Sequence, residues 1–483
     1  MIVTHLKVAL YAIYVIIVIG TILTIVYDKR EPSKALIWIS VVSLIPILGI
    51  LFYVLLGRNH RREKIFNRKG VKDLQQIERA NINNQLELVS SDSLLQRKEI
   101  ADNFDIITLL LNSNKALLTV RNRIKILEDG EATFAHILDV LSRAESSIHL
   151  EYYIITDDRI GETVADILVA KARAGVEVRL IYDDVGCWGL NRNYLKRLSD
   201  AGVQIRNFLP VVFPWLSSKV NYRNHRKIIV VDGKYGFTGG VNIAQRYISG
   251  TTWGRWRDTH LMLEGDSVTS LQVIFLTDWY FVSGQRLTDR KKYFHESDIK
   301  EQALVQIATS GPDSDWASIL QAFFAAITRA QKHIYISTPY FIPPESLLTA
   351  IKVAALSGID VRIMLPARSD SKIALWATRS YIGELLEAKA KVYLYQTGFN
   401  HSKVLMIDGQ FCSVGTANMD IRSFEDNFEI SAIMYDKQLT ETLEKTFFED
   451  LTNCTQVEPE QWNNRPWFKT LGESFARLLS PLL

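Results

Sequence analysis

Residues 224–245 read NHRKIIVVDGKYGFTGGVNIAQ, and residues 400–420 read NHSKVLMIDGQFCSVGTANMD. One pattern runs through both. His225 and Lys227 are followed five residues on by Asp232, seven further by Gly239 and three further by Asn242. His401, Lys403, Asp408, Gly415 and Asn418 repeat every interval. A lone His-x-Lys is more often an ordinary core histidine than a catalyst. Two copies with every offset matched argue for a duplicated catalytic unit.

Each motif reads as a strand. Alternation sends the His and the Lys to one face. The runs IIVV and VLMI that follow are apolar and largely β-branched, as a buried strand should be, and Asp-Gly then supplies a turn. Two halves thus offer two imidazoles and two ammonium groups. A phosphodiester needs a nucleophile, a proton for the leaving oxygen, and positive charge around phosphorus. One histidine can attack while the other donates the proton. Lys227, Lys403, Asn242 and Asn418 are expected to hold the phosphoryl oxygens. The scheme requires no metal or other cofactor, and none is expected. The imidazoles need partners on their second nitrogens. Asp258 in WRDTH and Glu429 in DNFEI are the candidates. Asp232 and Asp408 belong to the repeated catalytic signature, yet within it they read as structural, next to the turn rather than at phosphorus.

The repeat extends into the flanks. SRAESSIHLEYYI (142–154) matches TRAQKHIYISTPYF (328–341), and AGVEVRLIYDD (174–184) matches SGIDVRIMLPA (357–367). Each is a helix end, a polar turn and an alternating strand. Strands alternating with helices predict an α/β chain of two α-β-α sandwich lobes, 117–295 and 296–455, each with a mixed or largely parallel sheet. A pseudo-twofold axis between the lobes would bring the two motifs into one shared site. Before them, 61–116 reads as a basic flank and a polar helical linker; after them, 456–483 reads as an amphipathic tail.

The N-terminus, 1–60, reads as a transmembrane hairpin. Residues 8–27 and 35–56 are two apolar runs, each long enough to span hydrocarbon. Pro46 and Gly49 are tolerated in such helices. A second span follows immediately and no small-residue cleavage site intervenes, so the first run is not read as a signal peptide. Lys29, Arg30 and Lys34 lie between the runs. Arg58, Arg61, Arg62, Lys64, Arg68, Lys69 and Lys72 follow the second. The larger basic flank places the N-terminus and the lobes in the cytoplasm and suits anionic lipid head groups.

Three widely spaced cysteines, Cys187, Cys412 and Cys454, form neither a disulfide framework nor a zinc pattern. A net charge of +3 is too small to argue for a nucleic-acid partner. Residues 208–223, FLPVVFPWLSSKVNYR, are apolar and aromatic just ahead of the first motif, and read equally as an acyl-chain entrance or as a packed connection. The tail RPWFKTLGESFARLLSPLL reads either as an interfacial helix or as one folded back on the protein.

The repeated His-Lys-Asp pattern resembles that of the phospholipase D superfamily. The stretch 30–58, NYRNHRKIIVVDG, WRDTHLMLEG, ISTPYFIPP, GTANMDIRSF and SFARLLSPLL are similar to the bacterial cardiolipin synthases of that superfamily over essentially the whole chain. The resemblance implies a bacterial membrane protein with phosphatidylglycerol as its lipid substrate. It implies transfer of a phosphatidyl group from one phosphatidylglycerol to another through a phosphatidyl-histidine. It also implies that Asp258 and Glu429 hold the histidines, that His225 is the nucleophile, and that His401 is the acid and base. The residues alone do not separate the two histidines. Three stretches depart from the family's usual text: NIAQRY (242–247), GFNHSK (398–403) and EAKAKVYLY (387–395). None of these departures changes a motif His, Lys or Asn. A tethered phospholipase D or other phosphatidyltransferase is the competing reading, and a tethered nuclease a more distant one. Oligomeric state is not legible.

Overall fold

The computed structural model describes residues 2–27, 32–53, 97–211 and 222–480. The chain divides into two compact units, Met1–Asn67 with Val211–Tyr222, and Arg68–Pro210 with Arg223–Leu483. In the smaller unit the first apolar run is one helix, α1 (Ile2–Tyr27). The second run is divided into α2 (Pro32–Leu44) and α3 (Pro46–Phe52). Proline lacks the N–H and clashes with the carbonyl one turn back, so the helix resets at Pro46. Ile25, Val42 and Tyr53 are buried together, while Ile16, Leu23 and Leu44 point outward. Side chains near both helix starts lie outside the described residues. Among the described residues no helix is long and apolar enough to cross a membrane. The basic flank and most of the expected linker, 54–96, lie outside the description, as does 212–221 of the apolar stretch before the first motif.

In the larger unit, the first lobe's strands are β1 (Asn122–Leu127), β2 (Ser147–Tyr152), β3 (Glu177–Asp183), β4 (Gln204–Phe208), β5 (Ile228–Val231) and β6 (Tyr235–Gly239). They are followed by β7 (Arg255–Arg257), which lies outside the main sheet, and β8 (His260–Gly265). The sheet order is β1-β8-β6-β5-β2-β3-β4. The second lobe carries β9 (Val305–Ser310), β10 (His333–Ser337), β11 (Phe341–Ile342), β12 (Asp360–Pro366), β13 (Lys391–Tyr395) and β14 (Gly398–Asn400). Then come β15 (Val404–Ile407), β16 (Phe411–Gly415), β17 (Met419–Asp420), β18 (Glu429–Met434) and β19 (Cys454–Gln456). Its main sheet, β9-β18-β16-β15-β10-β12-β13-β19, repeats the first order and adds one edge strand. Both sheets are mixed. β2, β3 and β4 are parallel, as are β10, β12 and β13, and every other pairing within the two main sheets is antiparallel. Helices such as α4 (Gly130–Ser142), α5 (Arg159–Arg173) and α6 (Asp266–Ser283) cover the first sheet. α7 (Ser318–Arg329), α8 (Glu345–Leu356), α9 (Lys372–Ser380) and α10 (Lys437–Leu451) belong to the second lobe.

The central strands show why their text is apolar at every position. Ile229 and Val231 of β5 enter the first lobe's core, and Ile228 and Val230 enter a core shared with the second lobe. β15 does the same: Leu405 and Ile407 turn to its own lobe, Val404 and Met406 to the shared core. A strand buried on both faces needs no polar alternation, and each such side chain contributes roughly 1.5–3 kcal/mol.

Two expectations change. The His-x-Lys triplets are not in strands: β5 begins one residue after Lys227 and β15 one residue after Lys403. Residues 104–114 are helical, but not a polar linker. Ile106, Ile107, Leu110 and Leu111 enter the second lobe's core. The backbone of Thr119 pairs with Val305 at 2.8 and 3.0 Å. The tail, which the sequence leaves open between two readings, packs on the second lobe. β19 pairs with β13, and α11 (Trp467–Leu478) packs along α9.

Candidate active site

The two lobes trade backbone pairs at the motifs. β14, which leads into His401, runs parallel to β7 of the first lobe, and His401 N–H donates to the Arg257 carbonyl at 2.7 Å. In the mirror contact Asn224 bridges Phe428, and His225 N–H donates to the Phe428 carbonyl at 2.9 Å. This is why the triplets are extended but lie outside their own sheets. Arg257 and Phe428 each precede a carboxylate, so each histidine is docked beside the other lobe's acid. His225 Nδ1 lies 3.0 Å from both oxygens of Glu429. His401 Nδ1 lies 2.7 Å from Asp258 Oδ2. Both acids are fully buried. Asp258 and Glu429 therefore reach the histidines crosswise between lobes. Glu429, an ionised carboxylate, only accepts, so His225 Nδ1 carries the proton and its Nε2 keeps a lone pair.

The electrostatics bind these groups into one cluster. Burial pushes both histidines below the ordinary imidazole value. Glu429 opposes the shift at His225; the nearby charge of Lys403 deepens it at His401, which falls well below. Lys403 also acts on His225, and Lys227 on His401. Burial lowers Lys227 to about 7 and Lys403 to about 8. Lys227 Nζ donates to the His225 carbonyl at 2.7 Å, and Lys403 Nζ sits 2.8 Å from His401 Nδ1. The acids differ. Glu429 is held below its usual range against its burial cost, chiefly by His225; burial leaves Asp258 raised. Lowered lysines and histidines together mark a cluster that would gain from a nearby anion.

The asparagines lie within the same buried shell. Asn242 Oδ1 accepts from Ile154 N–H at 3.2 Å and its Nδ2 donates to Tyr247 at 2.8 Å; the Asn418 Oδ1 has no partner among the described residues. Asp232 and Asp408 lie at the turns after β5 and β15. Each sits at positive φ, 53° and 55°, a region that Asp tolerates better than most residues. Asp232 accepts from the N–H groups of Glu145, Ser146 and Ser147 at 2.7–2.9 Å. Asp408 accepts from Gln331, Lys332 and His333 at 2.8–2.9 Å. Five residues of extended chain put each about 16 Å from its lysine. They pin the start of β2 and of β10.

Several site residues escaped the sequence reading. Thr416 donates its hydroxyl to Glu429. At the matching position Gly240 makes room for Asp258, since a Cβ there would lie 1.9 Å from Asp258 Oδ1. Tyr153 meets the His225 ring edge-on at 4.8 Å, and Trp256, Phe399 and Tyr247 surround His401 at 5.6–6.0 Å. Asp183 takes Arg223 at 3.0 Å and the Asn224 N–H at 2.8 Å. Arg226, between the motif His and Lys, pairs with Asp278 and donates to the Glu429 carbonyl at 3.3 Å. The paired aspartates ending LIYDD and the arginines of YRNHRK were the available signal. A cavity of about 240 Å³ lined by Asp129, Glu131, Tyr247 and Arg255 includes neither histidine and is not the reaction centre.

The family described as cardiolipin synthase, PLD-like domain, matches residues 137–279 and 323–451, and that described as phospholipase D-nuclease N-terminal matches 10–58. A cardiolipin synthase of Halalkalibacterium halodurans is 43% identical over 464 residues, covering 95% of this chain and 91% of its own length. The major cardiolipin synthase ClsA of Bacillus subtilis is 39% identical, covering 97% and 98%. The fold is similar to that of a crystallised phosphatidylserine synthase of Haemophilus influenzae, with a TM-score of 0.58 at 16% identity, covering 78% of this chain and all of that one. Paired histidines held by the opposite lobe's acids, two full-length repeats of one sheet, and relatives that align from end to end agree: the chain belongs to the cardiolipin synthase family of phospholipase D-like proteins.

Proposed function

We propose that the site moves a phosphatidyl group from one phosphatidylglycerol to the hydroxyl of another, giving cardiolipin and glycerol. The crossed histidine–carboxylate pairs carry this reading. His225 Nε2 attacks phosphorus; the bond to glycerol breaks, and the departing oxygen takes the proton held on His401 Nε2. The second phosphatidylglycerol then gives its hydroxyl proton to His401, its oxygen attacks phosphorus, and the P–N bond breaks. Lys227, Lys403, Asn242 and Asn418 surround the phosphoryl oxygens. Glu429, the ionised acid, favours His225 as nucleophile because the phosphorylated ring is cationic. His401, neutral in the empty site, gains its proton when the substrate anion arrives. Both histidines are under a tenth exposed, which favours a lipid alcohol over water as the acceptor.

The same reading makes the protein an integral membrane protein of the bacterial cell membrane that takes phosphatidylglycerol and other anionic lipids as partners. The outward apolar surface of α1 and α2 and the match over 10–58 support an anchoring hairpin. Lys and Arg counts support cytoplasmic lobes. The test is purified protein in detergent with labelled phosphatidylglycerol as sole lipid, beside His225→Ala and His401→Ala. Cardiolipin plus glycerol, lost in both variants, is expected. Phosphatidic acid alone would make water the acceptor and the protein a phospholipase.

A further inference from the structure

Helix α11 is turned inside out for a helix packed on a globular lobe. Two of its three charged side chains, Glu473 and Arg477, turn to ion partners on the protein. Glu473 is 4% exposed and is held by both Arg465 nitrogens at 2.8 and 2.9 Å. Arg477 pairs with Glu384 at 2.5 Å and lies over the Tyr381 ring. Its apolar side chains face out: Trp467 is 75% exposed, Phe475 62% and Leu478 72%, with Phe468 and Leu471 beside them. At 100° per residue these five positions form one stripe. A helix selected only to finish the second lobe would bury that stripe and hydrate the ions.

The stripe has a neighbour at the active site. α9, against which α11 packs, exposes Ile373 and Trp376. Asp370, just before α9, bonds the Tyr340 hydroxyl at 2.5 Å, and its charge acts on both His401 and Lys403. α9 therefore starts beside the His401 half of the site. Exposed Lys372 and Lys469 stand at the N-terminal ends of the two helices. Tryptophan, phenylalanine and leucine bordered by lysine complement an anionic lipid surface: rings and aliphatic chains enter the head-group boundary, ammonium groups meet phosphates.

We propose that the outward stripe of α11, with Ile373 and Trp376 of α9, docks into the interfacial layer of an anionic bilayer and holds the His401 side of the site against its lipid. This deepens the transferase reading and rests on it for its purpose. The test uses the full chain in vesicles of phosphatidylglycerol and phosphatidylcholine. A nitroxide is placed on a single cysteine at Phe475 or Leu478, in a Cys454→Ser background since Cys187 and Cys412 are buried. The control site is Lys445 on α10, whose buried Leu443 and Phe447 enter the shared core rather than the core that takes Ala476 of α11. Collisions with oxygen should dominate at 475 and 478 while a water-soluble nickel chelate is excluded, with the reverse at 445. Nickel access at all three sites overturns the proposal. So does spectral broadening that disappears on dilution with unlabelled protein, which would make a second copy the occupant. A Phe468→Gln/Phe475→Gln/Leu478→Gln variant should lose about tenfold in cardiolipin formation from vesicle lipid and none from detergent-dispersed lipid; equal rates on vesicles count against it. The collision readout does not depend on product, so docking without cardiolipin formation would sink the transferase reading and leave this one standing.

Discussion

Glu429→Gln tests the crossed geometry and the roles of the histidines together. Glu429 is fully buried and presents both oxygens to His225 Nδ1 at 3.0 Å. The substitution keeps shape and removes charge. A hydrogen bond to a charged group is worth about 2 kcal/mol, so the nucleophilic step should slow at least thirtyfold, roughly. The loss is larger where the new amide donates to Nδ1 and forces the wrong tautomer. Asp258→Asn makes the same change at His401. The assay is a rapid-quench burst with a phosphatidyl ester of p-nitrophenol, whose leaving group needs no proton. With His225 as nucleophile, Asp258→Asn and His401→Ala still release p-nitrophenolate in a burst and then stall, with label on the protein. Glu429→Gln and His225→Ala show no burst. The opposite pattern would make His401 the nucleophile. Loss of the burst in neither acid variant would refute the crossed pairing as the source of activation.

Thr416→Val removes a hydroxyl that donates to Glu429; about 1.4 kcal/mol of lost orientation predicts roughly tenfold lower kcat, read on lipid turnover with an unchanged melting temperature. Gly240→Ala would put a Cβ 1.9 Å from Asp258 Oδ1, so it should abolish turnover in a folded protein, as judged by circular dichroism beside product analysis. Lys227 at about 7 and Lys403 at about 8 are charged below those values and neutral above them. kcat/KM should therefore fall from about pH 7 upward. The limb in kcat should lie higher, because bound phosphodiester anion raises both lysines; a flat profile to pH 9 would remove the lysines from the site. Asp408→Ala loses three N–H contacts and puts Ala at positive φ, costing about 3 kcal/mol of stability, seen as a lower melting temperature with kcat retained per folded molecule.

The site's residue types were legible because a repeat is a strong signal: two His-x-Lys triplets at matched offsets define both halves whatever the fold does. The mixed sheets followed from apolar runs separated by turn residues. The crossed pairing was not legible, because it is set by backbone. The Arg257 and Phe428 carbonyls that receive the histidine N–H groups leave no mark in side-chain type. The same exchange removes His225 and His401 from the strands that alternation predicted. Residues 104–114, FDIITLLLNSN, carry an apolar stripe, but they follow a long polar stretch that biased the reading toward a linker. The tail was read as either interfacial or folded back. Glu473 and Arg477 pair on the protein while Lys469 and the rings face outward, an arrangement that a helical wheel alone cannot assign to either medium.

Duplication yields two equal lobes, yet group transfer needs two unequal histidines, and the divergence sits in a few atoms. The first half keeps Gly240 where the second has Thr416. The short Asp258 reaches His401 only because no Cβ stands in its way. The longer Glu429 leaves room for a hydroxyl that both fills space and donates to it. Contacts with His225, with nearby Lys227 and with the Thr416 hydroxyl hold Glu429 below its usual range, whereas Asp258 carries its burial less well compensated. An imidazole backed by a firmly ionised acid can bear the positive charge of a phosphoryl adduct. One backed by a less settled acid, with a lysine 2.8 Å from its nitrogen, suits the acid and base role proposed for His401. The topology gives each histidine an acid from the other lobe; on the proposed roles, the glycine–threonine difference between the repeats would set their chemistry apart.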